Sequence, residues 1–116
     1  MKKYVYVVTD RNRGTMHVGM STDLMKTMQF YRDVPNLFFE ATSQLTRLIY
    51  FEELNTEQIA LHRFKLISRF TRSQKERIVR DVNPDWLDLS IGLDYERNNI
   101  RRINSLSLFN YQDLQA

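Results

Sequence analysis

The chain contains no cysteine. That absence excludes disulfides, a thiolate zinc site and a cysteine nucleophile, and it suits a reducing compartment. With three glycines and two prolines, there is no low-complexity tract, and no internal repeat is present. No stretch approaches the ~18 consecutive apolar residues of a membrane span. The beginning, MKKYVYVVTDRNRG, has two lysines and then an apolar run of only five residues before charges resume. A secretory leader needs a longer apolar region and a small-residue cleavage site. The expectation is a cytoplasmic protein with no membrane partner.

A length of 116 residues fits one domain large enough to bury a core without staples. The net charge of +3 is modest but unevenly spread. Residues 1–62 carry seven basic and seven acidic side chains. Residues 63–80 carry Arg63, Lys65, Arg69, Arg72, Lys75, Arg77 and Arg80 against Glu76 alone. Residues 81–116 carry three basic and six acidic groups. A concentrated basic segment is the footprint of a polyanion binder, and it is equally the pattern of a solvated helical face.

Lys3 to Thr9 is rich in Tyr and Val, which favour a pleated strand. Its near-continuous apolar run predicts a central strand covered on both faces. DRNRGT, residues 10–15, is turn chemistry, with Gly14 free to take a positive φ. Met16 to Gly19 completes a hairpin. Ser21 is placed to cap a helix from Thr22 to about Tyr31, with Leu24, Met28 and Tyr31 on its buried face. Residues 33–46 break periodicity around Pro35 and read as a loop returning Leu37, Phe38 and Phe39 to the core. Arg47 to Glu52 is a third strand. Asn55 with Gln58, then Thr71 with Gln74, have capping-box spacing and open two further helices. The second ends near Val82 at Asn83-Pro84, and Trp86, Leu87 and Leu89 follow as an apolar clasp. The fold class is α+β, β-β-α-β-α-α, with a three-stranded antiparallel sheet flanked by helices. Residues 1–90 form the domain and 91–116 a C-terminal extension. That extension includes a potential helix over 94–104 and is a possible homo-oligomer contact.

In this order, YVYVV, HVG, STDL, RLIYFEE and SRFTRSQKERIV...NPDWLDL resemble the GIY-YIG endonuclease superfamily, in particular its small stand-alone bacterial members. The resemblance covers residues 3 to about 90. It implies metal-dependent cleavage of a DNA phosphodiester: a glutamate on the helix after the third strand binds the ion, an arginine on the first helix steadies the phosphate, and two motif tyrosines serve the attacking water. Carried over, the first tyrosine falls on Tyr6 and the second on His17. The motif glycine falls on Gly19, and a frequent His or Tyr position falls on Tyr31. The arginine position holds Thr27 and the glutamate position holds Phe64.

Those two residues change the expectation. A phenyl ring cannot bind a hard cation, which takes oxygen ligands. Threonine brings neither the charge nor the planar fork of a guanidinium. Lys26 adjoins Thr27 but points about 100° away around the helix. His17 admits two readings, a titrating residue active near neutral pH or a partly buried strand histidine. His62 reads as a surface residue. The expected protein is a catalytically degenerate domain that binds nucleic acid, through Arg63, Arg69, Arg72, Lys75 and Arg80, or binds a protein partner. No metal or cofactor is expected. A divalent ion (magnesium or manganese) enters only in the first alternative, an active endonuclease with a site relocated to Glu52, Glu57 or His17. A second alternative is a self-association module using 91–116 and the Met20, Met25 and Met28 surface.

Overall fold

The computed structural model describes residues 2–33 and 44–93. Leu37, Phe38 and Phe39, the potential helix at 94–104 and most of the 91–116 extension lie outside the described residues. The elements are β1 (Lys3–Thr9), β2 (Met16–Ser21), α1 (Leu24–Asp33), β3 (Arg47–Leu54), α2 (Glu57–Ser68) and α3 (Arg72–Val82). The three strands form one antiparallel sheet in the order β2-β1-β3, as expected. Among the described residues no helix is long and apolar enough to cross a membrane.

Strand β1 is central because it can be covered on both faces. Val5 and Val7 project to one side, where Val18, Ile49, Tyr50, Ala60, Ile67, Val79 and Trp86 complete a core under α2 and α3. Tyr6 and Val8 project to the other, against Leu24, Met28, Leu45 and Leu48. Val5, Val7 and Val8 are fully buried. Burying a side chain of this kind stabilises by about 1.5–3 kcal/mol, so β1 contributes heavily to the core on both faces.

The β1–β3 register slips between Val7 and Val8: Val7 pairs with Tyr50 and Val8 with Leu48, leaving Ile49 without a partner. This bulge turns Ile49 and Tyr50 to the same side of the sheet. A bulge frees backbone groups that must be satisfied elsewhere. The segment after α3 does this. Asn83 Nδ2 donates to the Ile49 carbonyl at 3.0 Å, and the Leu48 amide donates to Asp88 Oδ1 at 3.2 Å. The Asn-Pro stop is therefore also the pin that holds 83–93 to β3.

The β1–β2 turn departs from expectation. Arg13, not Gly14, takes the positive φ, at 57°, and no described glycine has one. The reason is the buried Asp10. Its carboxylate accepts the amides of Asn12 (2.9 Å), Gly14 (2.9 Å) and Thr15 (3.0 Å). Arg72, at the start of α3, then donates to the Gly14 carbonyl at 2.9 Å and to that of Arg13. Arg13 lies over Trp86, 5.0 Å from the ring centroid. These contacts over-determine the loop and hold one non-glycine residue in the left-handed region.

Helix starts also shift. Strand β2 continues through Ser21, and Asp23 caps α1, accepting the Lys26 amide at 3.1 Å. Ser21 Oγ instead accepts the Asp23 amide. Helix α2 is capped by Thr56 rather than Asn55, through the Ile59 amide at 3.1 Å. The capping box of Thr71 and Gln74 is present in full at α3.

Candidate functional site

Three of the expected site residues come together on the α1 side of the sheet. The Tyr6 and Tyr31 hydroxyls share a 3.0 Å hydrogen bond. The Tyr31 ring meets Tyr6 and His17 edge-on, with both centroid distances 6.1 Å. In the register, Tyr6 faces Gly19 and Val8 faces His17. The glycine has a steric cause: a Cβ at residue 19 would stand 2.2 Å from Tyr6 Oη and 2.4 Å from Cζ. Only an absent side chain lets the phenol lie across β2.

The electrostatics of this cluster disfavour charge on it. Burial raises the Tyr6 phenol above its ordinary range, partly offset by Tyr31. Burial and the hydrogen bond with Tyr6 raise Tyr31 well above its own. Neither supplies a phenolate near neutral pH. His17 is exposed along one side, but partial burial of the ring first, and the Lys75 charge second, lower its basicity. It is therefore mostly neutral at pH 7.

The other two expected positions are occupied differently. Thr27 turns inward on α1. Its hydroxyl donates to the Asp23 carbonyl at 3.0 Å and bonds Ser21 Oγ at 2.6 Å. It lines a cavity of about 420 Å³ with Lys3, Met20, Ser21, Thr22 and Glu57. Phe64 packs against the core on the α2 side. Phe64 also lines a second cavity of about 320 Å³ with Met16, His17, Val18, Ser68 and Lys75. Both cavities flank the edge strand β2, and each carries one lysine.

A divalent ion does not fit this arrangement. Phe64 offers no oxygen, and His17 is the one His, Cys, Asp or Glu lining its cavity. Among the described residues, no three such side chains stand close enough to hold an ion. Glu52, a candidate for a relocated site, is committed elsewhere. Its carboxylate takes Arg63 Nε at 2.8 Å, a second bond from Arg63 Nη2, and the Tyr50 hydroxyl.

Burial alone would raise the Glu52 pKa, but the Arg63 and Tyr50 hydrogen bonds outweigh it and hold the carboxylate below its ordinary value of 4.5. A depressed carboxylate stabilises the fold fully above its unfolded value and loses that contribution as pH falls through the folded one. The domain should therefore lose stability as pH falls below about 4.5, and Glu52→Gln should flatten that loss. At pH 7 the same substitution should cost about 2 kcal/mol, the range of a hydrogen bond to a charged group. Urea midpoints measured at pH 7 and pH 3.5 check both; an equal acid loss in the variant would contradict the assignment.

The five basic residues expected to touch nucleic acid fare unequally. Arg63 is paired with Glu52. Arg72 and Arg80 share Glu76, at 3.0 and 3.2 Å, and Arg72 also clamps the turn. Arg69 and Lys75 make no ion pair among the described residues. Sequence reasoning placed Lys75 in a basic run but missed its position beside His17. The signal was its spacing: position 75 falls four residues before the buried Val79, on the inner side of α3.

No family model and no curated protein matches this sequence. Among solved structures, the fold is similar to the solution structure of the UPF0213 protein BH0048 from Bacillus halodurans. The TM-score is 0.50 and the identity 17%, over 76% of this chain and 93% of that one. UPF0213 is a GIY-YIG-type family. With an antiparallel β2-β1-β3 sheet, one helix packed on one face and two on the other, the chain has a GIY-YIG-like α+β fold, a likeness at the level of the fold.

Proposed function

We propose that this chain is a GIY-YIG-type domain that keeps the frame of a nuclease site without its catalytic charges, and that it binds nucleic acid without cutting it. One observation carries the reading. The Tyr6–Tyr31–His17 cluster and Gly19 are assembled, while Thr27 is hydrogen-bonded within its own helix turn and the half-buried Phe64 packs against the core. Hydrolysis needs stabilisation of charge as it develops on phosphorus-bound oxygens, and these two side chains provide none. Binding needs only cations near phosphate. Lys75 and Lys3 supply them along β2, and Arg69 adds another at the end of α2.

In this reading His17 is a hydrogen-bonding neighbour of a phosphate rather than a base. Its lowered basicity leaves Lys75 as the cavity's positive charge at pH 7. The test has two parts. Plasmid DNA incubated with the protein and magnesium or manganese should show no nicking above a Phe64→Ala control. Fluorescence anisotropy at low salt should show binding that weakens with salt, and Lys75→Ala should reduce the slope of log affinity on log salt by about one. Metal-dependent nicking by the wild type above that control would sink the non-hydrolytic reading. Absent binding at low salt would sink the nucleic-acid reading.

A further inference from the structure

Resting on that reading, we infer that the nucleic acid bound is unpaired, and that Phe30 is the platform on which one of its bases stacks. Helix α1 buries Leu24 and Met28 and half-buries Tyr31. Phe30 lies off that stripe and is 58% exposed. A lone exposed apolar side chain is ordinary, so exposure by itself decides nothing. What surrounds Phe30 does. Its ring meets Tyr31 edge-on with centroids 6.0 Å apart, and Tyr31 meets His17 in the same way at 6.1 Å. An aromatic row thus runs from the outer surface of α1 to the cavity that holds Lys75.

Cations stand at both ends of the row. Lys26 is exposed one helical turn before Phe30, and side chains four apart on a helix are neighbours. Lys75 is at the His17 end. Arg32 is drawn away from the row, donating to Ser90 Oγ at 2.6 Å and reaching Asp88 at 3.5 Å, so its guanidinium does not stack on the Phe30 ring. Aromatic faces flanked by backbone-tracking cations are the arrangement that holds single strands, because each unpaired base has a π-face to offer. A duplex keeps its bases stacked inside and gains only the phosphate contacts.

The experiment is anisotropy of labelled dT12, rU12 and a 12-base-pair duplex with the full chain at low salt. A single strand should bind more tightly than the duplex. Phe30→Ala should weaken single-strand binding by about 5- to 150-fold, the range of one lost stacking contact, and leave duplex binding unchanged. Phe30→Trp should restore it. Because Phe30 is exposed, the variants should melt with the wild type. Tighter binding of rU12 than dT12 would identify RNA as the ligand and the reverse DNA; either result supports an unpaired ligand. Equal or tighter duplex binding, or single-strand binding indifferent to Phe30→Ala, overturns this inference and leaves the proposed function standing. No binding of any oligonucleotide overturns both.

Discussion

Gly19→Ala is expected to destabilise the domain by about 3 kcal/mol, at the upper end of overpacking costs. The new methyl group would stand 2.2 Å from Tyr6 Oη, 2.4 Å from Cζ and 2.9 Å from Cε1. Relief by moving the phenol is restricted. Tyr6 is only 5% exposed, is packed with Leu24, Met28 and Leu48, and is tethered to the Tyr31 hydroxyl at 3.0 Å. Moving it gives up that bond, and moving β2 instead strains the ladder that pairs Tyr6 with Gly19. A shortened partner tests the cause. In a Tyr6→Leu background, Gly19→Ala should cost less than about 1 kcal/mol, so the double substitution destabilises by less than the sum of the two singles in a double-mutant cycle. Denaturant unfolding of the four proteins measures it. An equal cost in both backgrounds would show that the clash is absorbed elsewhere. Tyr6→Phe alone removes one hydrogen bond and should cost about 1 kcal/mol. The same geometry ties stability to the site, since the residue that lets Tyr6 cross β2 also sets where Tyr6 and Tyr31 meet.

Asn83→Ala should cost about 3 kcal/mol, because it leaves the buried Ile49 carbonyl without its partner and removes two part-buried bonds to the Leu87 backbone at the same time. Asn83 is 4% exposed. Its amide nitrogen donates to the Ile49 and Leu87 carbonyls at 3.0 and 2.9 Å, and its Oδ1 accepts the Leu87 amide at 2.9 Å. The Ile49 carbonyl belongs to the bulge and has no ladder partner to return to. Asn83→Asp should not rescue, since a second carboxylate oxygen would face two carbonyls in place of a donor. The loss should begin locally. Trp86, the chain's one tryptophan, follows Asn83 in the same clasp and is buried against β3 residues Ile49 and Tyr50. In the variant its fluorescence should shift to longer wavelength at a lower denaturant concentration than the loss of far-ultraviolet dichroism. Coincident transitions would mean that the clasp and the sheet unfold as one unit.

Much of the fold follows from sequence because its causes are local. The β-branched run of Val5 to Val8 makes a two-faced strand wherever it is placed, Thr71 and Gln74 close their capping box within one turn, and Asn83-Pro84 stops a helix by backbone chemistry. The sheet order follows from the central place this run gives β1, with β2 joined to it by the hairpin and β3 brought to its other side by the helix crossover. Where local signals competed, contacts from outside chose between them. Ser21 and Asn55 were adequate caps, but extended pairing through Ser21 and the run of β3 to Leu54 moved each start onward, to Asp23 and Thr56. Gly14 was free to take the turn's strained conformation. Arg72, 58 and 59 residues away along the chain, and the Asp10 carboxylate put it on Arg13.

By itself, then, the sequence determined the strand and helix pattern, the absence of thiol chemistry and the presence of the uncharged Thr27 and Phe64 at positions where the resemblance would imply an arginine and a glutamate. Each is a property of residue type or short spacing. Only the tertiary structure decided which charges are engaged and which face a cavity. Seven basic residues in 63–80 look alike in one dimension. In three, Arg63 is held by Glu52, Arg72 and Arg80 by Glu76, and Lys75 stands beside His17. Likewise, Tyr6, Gly19 and Tyr31 are separate residues in the sequence, but a hydrogen bond across 25 residues and the close approach of the Tyr6 phenol to Gly19 give them a common geometry. Charge pairing and close approach depend on distances between segments remote in the chain, and no local pattern encodes them.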